Sequence, residues 1–225
     1  MSLHSRLLSR RALVGAALSL PLALAACGGQ TSTTSSDGSS ASAPAVAEGV
    51  LAEPIEGAYA SGKHHVAIDV KDFGTIELEL DADVAPVTVS NFCDLAASGF
   101  YDGLTFHRII NGFMIQGGDP LGNGTGGSSR LILGEFAENG IDNPISHKRG
   151  VISMARAYDL NSASSQFFIV HQDSDFLDGS YAAFGTVTEG IEVVDAIATT
   201  VPVQDDNGTV NRADQPTITS IKVID

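Results

Sequence analysis

The sequence predicts a mainly β domain, an antiparallel barrel or sandwich with two helices. Three observations predict this fold class. From His65 onward, short runs of alternating apolar and polar residues recur, glycine-rich turns separate them, and two stretches space their apolar residues as a helix does. Of the 225 residues, 43% are hydrophobic, which suffices for one sizeable core. We therefore expect one domain.

The body begins with a predicted hairpin followed by a helix. Residues 66–70 and 76–80 alternate apolar with polar or small side chains on either side of a turn at 72–74. Each predicted strand therefore has one face in the core and one face exposed to solvent. Pro86 opens the helix, where its missing N–H is harmless. Gly99 stands where a left-handed residue ends a helix.

The rest of the body continues the same pattern. Further strands are predicted at 106–110, 112–116, 151–155, 166–170, 182–187 and 218–224. A second helical pattern covers 191–198. Cys93 falls within the first helix, and we interpret it as a small buried apolar residue rather than a disulfide partner of Cys27.

The N-terminus resembles a bacterial export signal. Arg6, Arg10 and Arg11 precede an apolar run at 12–26 that is short for a membrane span. The run ends in Leu24-Ala25-Ala26-Cys27, which resembles the lipobox of bacterial lipoproteins, whose cysteine is acylated. We interpret residues 1–26 as a lipoprotein signal peptide and Cys27 as the lipidation site. An ordinary cleaved signal and a retained signal helix are the alternatives, and the export route, general or twin-arginine, stays open.

Composition and charge predict a tether and exclude one class of partner. Residues 27–55 are mostly small and polar and cannot bury enough surface to offset their ordering entropy, so we expect a disordered, lipid-anchored linker before a domain at 56–225. The formal charge of −15 falls to −18 without the three arginines of residues 1–26. Nucleic acid should repel such a body. The expected location is extracytoplasmic, anchored to the bacterial cell membrane through lipid on Cys27.

Several motifs then occur together. They are Phe106-His107-Arg108-Ile109-Ile110, Gly112-Phe113-Met114-Ile115-Gln116-Gly117-Gly118-Asp119, Ser153-Met154-Ala155-Arg156, Gln166-Phe167-Phe168-Ile169 and Phe176-Leu177-Asp178-Gly179. In order and spacing they resemble the cyclophilin family of peptidyl-prolyl cis/trans isomerases over residues 63–225. The resemblance implies a closed eight-stranded antiparallel β-barrel capped by two helices, with a groove on its outer face. It also implies rotation of X-Pro bonds in polypeptide clients without metal or cofactor. We expect the protein to be a monomer, although the sequence does not reveal the oligomeric state.

The resemblance also implies roles for individual residues. Arg108 and Gln166 would be catalytic: the arginine would donate to the imide nitrogen of a twisted X-Pro bond, and Gln166 would hold the arginine or the substrate backbone. The substrate-binding residues would be Phe113, Met114, Gln116, Ala155, Arg156, Phe168, Phe176, Leu177 and Tyr181. Of these, Phe113, Met114, Phe168 and Leu177 would form the proline pocket. The backbone at Ala155 and Arg156 would hold the preceding residue, although many relatives have asparagine at position 156.

Rival interpretations have sequence features of their own. A non-catalytic proline-peptide binder or holdase could keep the groove, but it would not need Arg108. Residues 122–127 fit G-x-G-x-x-G, yet a strand-like run follows them where a dinucleotide site needs a helix, so we expect a flexible glycine loop beside the groove. His64, His65 and His107 lack metal-ligand spacing. We expect His107 to be a hydrogen-bonded structural histidine.

Overall fold

The computed structural model describes residues 49–57 and 59–225. The predicted signal peptide, Cys27 and most of the predicted linker lie outside the described residues. Among the helices of the described part, none is long and apolar enough to cross a bilayer.

The described part contains ten strands and two α-helices. In chain order these are β1 (Val50–Leu51), β2 (Lys63–Val70), β3 (Gly74–Asp81), α1 (Pro86–Ala97), β4 (Thr105–Ile110), β5 (Met114–Asp119), β6 (Leu131–Ile132), β7 (Val151–Met154), β8 (Phe167–Val170), β9 (Ala183–Glu189), α2 (Ile191–Thr200) and β10 (Ile218–Val223). Short 3-10 helices lie at Ala137–Asn139 and Asp175–Leu177. The predicted hairpin is confirmed as β2 and β3, and both predicted helices are present.

Eight strands form one antiparallel sheet that is curled but open. The order is β10-β2-β3-β9-β7-β8-β5-β4, so β10 and β4 are its two edges. The prediction of a closed barrel is wrong, because an isolated bridge between Thr105 and Thr217, rather than a strand ladder, joins these edges. Pro216 explains the interruption: its carbonyl accepts from the Phe106 N–H at 3.0 Å, but proline has no N–H to return.

Aromatic side chains fill the interior of the curled sheet. The ring of Phe92, on α1, lies 5.1 Å from Tyr101, 5.5 Å from Phe167 and 5.3 Å from Phe184 between ring centroids. All four side chains are fully buried, which is the dense packing expected of a protein core. The neighbouring Cys93 is also buried, as predicted, and burial raises the pKa of its thiol to about 12. A ligand must therefore bind outside this core.

The end of the predicted linker belongs to the folded body. β1 pairs in parallel with β6, with Val50 opposite Leu131, and the Ile55 N–H donates to Ser90 Oγ at 3.0 Å. The prediction of disorder up to residue 55 is thus wrong for residues 50–55. Apolar side chains at 50, 51 and 55 supply burial that the preceding Gly/Ser/Thr-rich composition lacks.

Candidate active site

A groove of about 840 Å³ opens beside β4, β5 and β8. Ten of the predicted site residues line it: Arg108, Phe113, Met114, Gln116, Ala155, Arg156, Phe168, Phe176, Leu177 and Tyr181. Gln166 lines an adjoining cavity of about 320 Å³, which shares Gln116, Ala155 and Arg156 with the groove. The structure thus brings every predicted site residue of the described part to one place.

Arg108 is held in the groove by three hydrogen bonds. Its Nε donates to the Asn207 carbonyl at 2.8 Å, Nη2 to Asn207 Oδ1 at 3.2 Å and Nη1 to Gln116 Oε1 at 3.2 Å. A guanidinium carries five N–H donors, so two remain available. Burial lowers the pKa of Arg108 from its ordinary value, but arginine stays protonated at working pH. None of the ion pairs among the described residues includes Arg108.

Gln166 acts on Arg108 through Gln116 rather than directly. Gln116 Nε2 donates to Gln166 Oε1 at 2.9 Å while Gln116 Oε1 accepts from Arg108. Gln166 Nε2 in turn donates to the carbonyls of Gly126, at 2.7 Å, and Gly124, at 3.2 Å. The prediction that Gln166 holds the arginine is therefore refined, because the amide of Gln116 stands between them. A continuous chain of hydrogen bonds runs from Asn207 to the glycine loop.

An apolar slot lies next to Arg108. Met114, Phe168 and Leu177 are buried in it, and the half-buried Phe113 completes it. The Phe168 ring meets Tyr181 edge-on at 5.9 Å between centroids. Phe176 is 73% exposed and its ring lies 5.5 Å from that of Phe113, so it forms an outer rim rather than a wall. Such a rigid, aromatic-lined slot suits a small apolar ring.

The side chain of Arg156 makes contacts beyond the role predicted for its backbone. Its guanidinium lies 5.1 Å from the ring centroid of Phe136 and 4.9 Å from that of Tyr181, and Nε donates to the Ser180 carbonyl at 3.0 Å. The side chain thus connects Tyr181 of the groove to the buried Phe136 through cation–π contacts. The Ala155 N–H already donates to the Gln166 carbonyl at 3.0 Å. A client backbone at this end would therefore meet the Ala155 carbonyl and the Arg156 peptide group.

The glycine loop at 122–127 is fastened to the body by Asp119. This buried carboxylate accepts from the N–H groups of Leu121 at 2.8 Å, Asn123 at 3.0 Å and Gly124 at 2.6 Å. Burial raises the pKa of Asp119, but these hydrogen bonds outweigh it, and the pKa lies below 3.8. The short strand β6, not a helix, follows the loop. The arrangement lacks the helix N-terminus of a dinucleotide site.

His107 departs from the sequence expectation. Its side chain is buried and lines the groove, but neither ring nitrogen has a hydrogen-bond partner among the described residues. The prediction of a hydrogen-bonded structural histidine is therefore wrong. No group of three or more potential metal-ligating side chains occurs in residues 49–57 and 59–225.

Comparison with known proteins identifies the family. The model of the family described as "Cyclophilin type peptidyl-prolyl cis-trans isomerase/CLD" matches residues 65–223, well over half of the chain. This chain belongs to the cyclophilin-type peptidyl-prolyl cis-trans isomerase family. It is 49% identical over 123 residues to peptidyl-prolyl cis-trans isomerase B of Bacillus subtilis, a match that covers 55% of this chain and 82% of that protein. It is 50% identical over 126 residues to an isomerase of Helicobacter pylori, with 55% and 74% covered.

A solved structure gives the same result for the fold. The crystal structure of a cyclophilin-type isomerase of Cryptosporidium parvum matches with a TM-score of 0.65 and 30% identity, over 73% of this chain and 99% of that one. The same protein in the presence of the dipeptide Ala-Pro matches with a TM-score of 0.64 and 32% identity, over 72% and 99%. The chain is an enzyme that interconverts the cis and trans forms of X-Pro peptide bonds.

In this cyclophilin, sequence reasoning missed one wall of the groove. Gln204, Asn207, Thr209, Val210, Asn211, Arg212 and Gln215 line it from a segment between α2 and β10. Gly208 anchors this segment to β4, with its carbonyl 2.8 Å from the Ile109 N–H. Any Cβ at position 208 would lie 2.2 Å from the Ile109 carbonyl oxygen, and φ is +80°. The Asn207-Gly208 pair was a turn signal that could have drawn attention to the segment.

Proposed function

We propose that Arg108 drives the isomerisation without covalent chemistry, by stabilising the twisted X-Pro bond. The observation that supports this is a guanidinium fixed at three of its donors, with two donors left beside an apolar slot. In the planar ground state the imide nitrogen shares its lone pair with the carbonyl. Twisting the bond localises that lone pair on nitrogen, where a positioned cationic donor binds it better than in the ground state.

The energy required is modest. The barrier to rotation is about 18–20 kcal/mol, and the two X-Pro isomers differ by only about 0.5–1 kcal/mol. A thousandfold acceleration needs about 4 kcal/mol. One charge-assisted hydrogen bond, together with immobilisation of the proline ring, can supply that amount. No nucleophile, metal or cofactor takes part in this scheme.

The groove suggests how a client segment lies in it. The proline ring occupies the slot of Phe113, Met114, Phe168 and Leu177. The preceding residue extends along Ala155 towards the adjoining cavity, where the Arg156 peptide group is available. This placement leaves the X-Pro bond within reach of Arg108. The Ala-Pro dipeptide studied with the Cryptosporidium parvum relative has the chemistry that this slot suits.

Gln116 offers a test of the transition-state role of Arg108. Gln116→Leu removes the acceptor that orients Nη1 while keeping a similar volume. Because one such hydrogen bond is worth about 1–1.5 kcal/mol, we expect kcat to fall about 5–10-fold with KM changed less than about twofold. A prolyl-peptide assay and a proline-limited refolding reaction both measure this.

Gln116→Glu is the matched control. It keeps an acceptor for Arg108 but loses the donor to Gln166, so it should retain more of kcat than the leucine variant does. If Gln116→Leu instead raised KM and left kcat unchanged, the arginine would act in ground-state binding, and the proposed mechanism would be wrong.

We further propose that the enzyme is a lipoprotein held outside the cytoplasm by acylation of Cys27, and that it acts there as a monomer on exported or surface proteins. The support is the sequence at 1–27 and the acidity of the body. An acidic domain is repelled by anionic lipid, so membrane attachment would need the covalent lipid rather than surface charge.

Cys27→Ala tests the anchor. Expressed in a bacterium, the natural protein should fractionate with membranes and incorporate a labelled fatty acid, because two or more acyl chains hold a protein firmly in a bilayer. The variant should lose the label and leave the membrane fraction. Membrane retention of an unlabelled Cys27→Ala variant would instead indicate a retained signal helix. A natural protein that is exported, unlabelled and free of membrane would indicate an ordinary signal peptide.

A further inference from the structure

His171 directly follows β8 and holds the turn between β4 and β5 at two points. Its backbone N–H donates to the Phe113 carbonyl at 2.8 Å, and its ring Nδ1 accepts from the Gly112 N–H at 2.9 Å. The turn itself is closed by a hydrogen bond from the Phe113 N–H to the Ile110 carbonyl at 3.0 Å. Phe113 is a wall of the apolar slot. His171 thus contacts the segment that carries one wall of that slot.

The partners of the imidazole fix where its proton lies. A backbone N–H can only donate, so Nδ1, which accepts from Gly112, is unprotonated. Nε2 lies 3.2 Å from Asp195 Oδ1 on α2. The Arg149 guanidinium holds the pKa of the Asp195 carboxyl below its ordinary value, and an ionised carboxylate can only accept. In this arrangement His171 is therefore neutral, with its proton on Nε2.

The charged groups around the ring are engaged with one another. Arg149 donates to both oxygens of Asp195, at 2.6 and 2.8 Å, and to the His171 carbonyl at 2.9 Å. The Arg149 N–H donates to Asp173 Oδ1 at 3.0 Å, and Lys148 Nζ lies 3.3 Å from the other oxygen of that carboxylate. The His171 side chain is buried. A buried ring held at both nitrogens keeps one orientation, so the neutral ring is a rigid link between α2 and the turn.

A second proton on the ring removes the acceptor for Gly112. Both nitrogens of an imidazolium donate, so a proton on Nδ1 would face the Gly112 N–H, and two donors would replace a hydrogen bond. The contact between Nε2–H and Asp195 becomes charge-assisted and is kept. Protonation therefore releases one of the two fastenings of the turn, while the ring stays bound to α2.

We propose that His171 is a positioning residue for the client-binding slot: its neutral ring holds the turn that carries Phe113, and a proton on Nδ1 releases that turn. This inference rests on the proposed function, because it takes Phe113 as a wall of the proline slot. The hydrogen bonds of Arg108 involve other residues. The effect of His171 therefore falls on KM rather than on kcat.

The pH dependence of KM tests this role. For an uncharged, capped prolyl peptide and the natural protein, KM should rise about threefold or more between about pH 8 and about pH 5, the range in which histidines change charge. The sign follows from the hydrogen bond, which is present while Nδ1 is unprotonated and is lost as the pH falls. The value of kcat should change less than KM does.

Two amide variants of different length separate the two ring contacts. His171→Asn places an oxygen near the position of Nδ1 and can still accept from Gly112, so KM should be low at both about pH 8 and about pH 5. His171→Gln places its amide near Nε2 and reaches only Asp195, so KM should be raised about three- to fivefold at both pH values. Both variants keep His107 and His147, so a pH dependence caused by those residues would remain.

The ¹⁵N resonances of the His171 ring give a measurement that does not depend on catalysis. At about pH 8 they should show an unprotonated Nδ1 and a protonated Nε2, and they should change to the doubly protonated form over the same pH range as KM. A ring that carries its proton on Nδ1 at about pH 8 would overturn the inference.

Phe113→Ala separates this inference from the proposed function. If Phe113→Ala leaves KM unchanged, proline does not occupy the slot, and the proposed placement of the client fails together with the link from His171 to KM. If Phe113→Ala raises KM but His171→Gln does not, at equal melting temperatures, only the positioning role is refuted. Survival of the pH dependence of KM in His171→Asn would also refute it.

Discussion

Arg108→Ala should lower kcat/KM for a prolyl peptide at least tenfold, and up to about 100-fold. The substitution removes the charge and the two donors that have no partner in the protein, and a hydrogen bond to a charged group is worth about 1.5–3 kcal/mol. The loss should fall mainly on kcat, since the apolar slot that binds the proline ring is left in place. Measurement of kcat and KM separately, by a prolyl-peptide assay, checks both parts of the expectation.

Two further variants separate a positioned donor from a general positive field. Arg108→Lys keeps the charge but not the planar fork that Asn207 and Gln116 hold, so it should recover only a fraction of the rate. Arg212 lines the same groove and is exposed. If the position of the donor matters more than the net charge of the groove, Arg212→Ala should lower kcat/KM by less than about threefold. Equal losses in the Arg108 and Arg212 alanine variants, with unchanged melting temperatures, would contradict the mechanism.

The sequence correctly predicted the elements and the groove wherever local periodicity and family motifs agree. The alternation at 66–70 and 76–80 reproduces β2 and β3 because a two-residue period can place only one face in a core. Pro86 and Gly99 mark the two ends of α1, with Gly99 at φ +73° directly after the C-cap residue Ser98. The convergence of the motif residues on one groove could be predicted because whole motifs, rather than single residues, were compared with the family.

Features that depend on long-range geometry were not predictable. The sequence around Pro216 does not indicate that this proline lies opposite Phe106. That position prevents a continuous strand ladder between the two edges of the sheet. A strict alternation assigns His107 to the face opposite Arg108, and only the pairing register reveals a β-bulge at His107. Asn207 lies 99 positions from the arginine that it holds. Its role required the structure, because no spacing rule connects such distant residues.

Asp119→Asn should destabilise the fold and weaken client binding together. The carboxylate receives three backbone N–H groups from the loop at 121–124. The neutral amide is a weaker acceptor with one oxygen fewer, so we expect a loss on the order of 2–3 kcal/mol in the free energy of unfolding. Because the same loop lines the groove, KM should rise severalfold while kcat changes little. Urea unfolding and peptide kinetics on the same samples measure the two effects.

The pH dependence of that loss identifies the carboxylate as its cause. Hydrogen bonds from the loop hold the pKa of Asp119 below its unfolded value of 3.8. A carboxyl with a depressed folded pKa contributes stability that is present above the unfolded pKa and is lost as pH falls through the folded pKa. The natural protein should therefore lose this contribution on acidification, whereas Asp119→Asn has none to lose. The difference in melting temperature should be constant from about pH 7 to pH 5 and shrink below about pH 4. A difference that stayed constant down to about pH 2.5 would mean that packing, rather than the charge on Asp119, fastens the glycine loop.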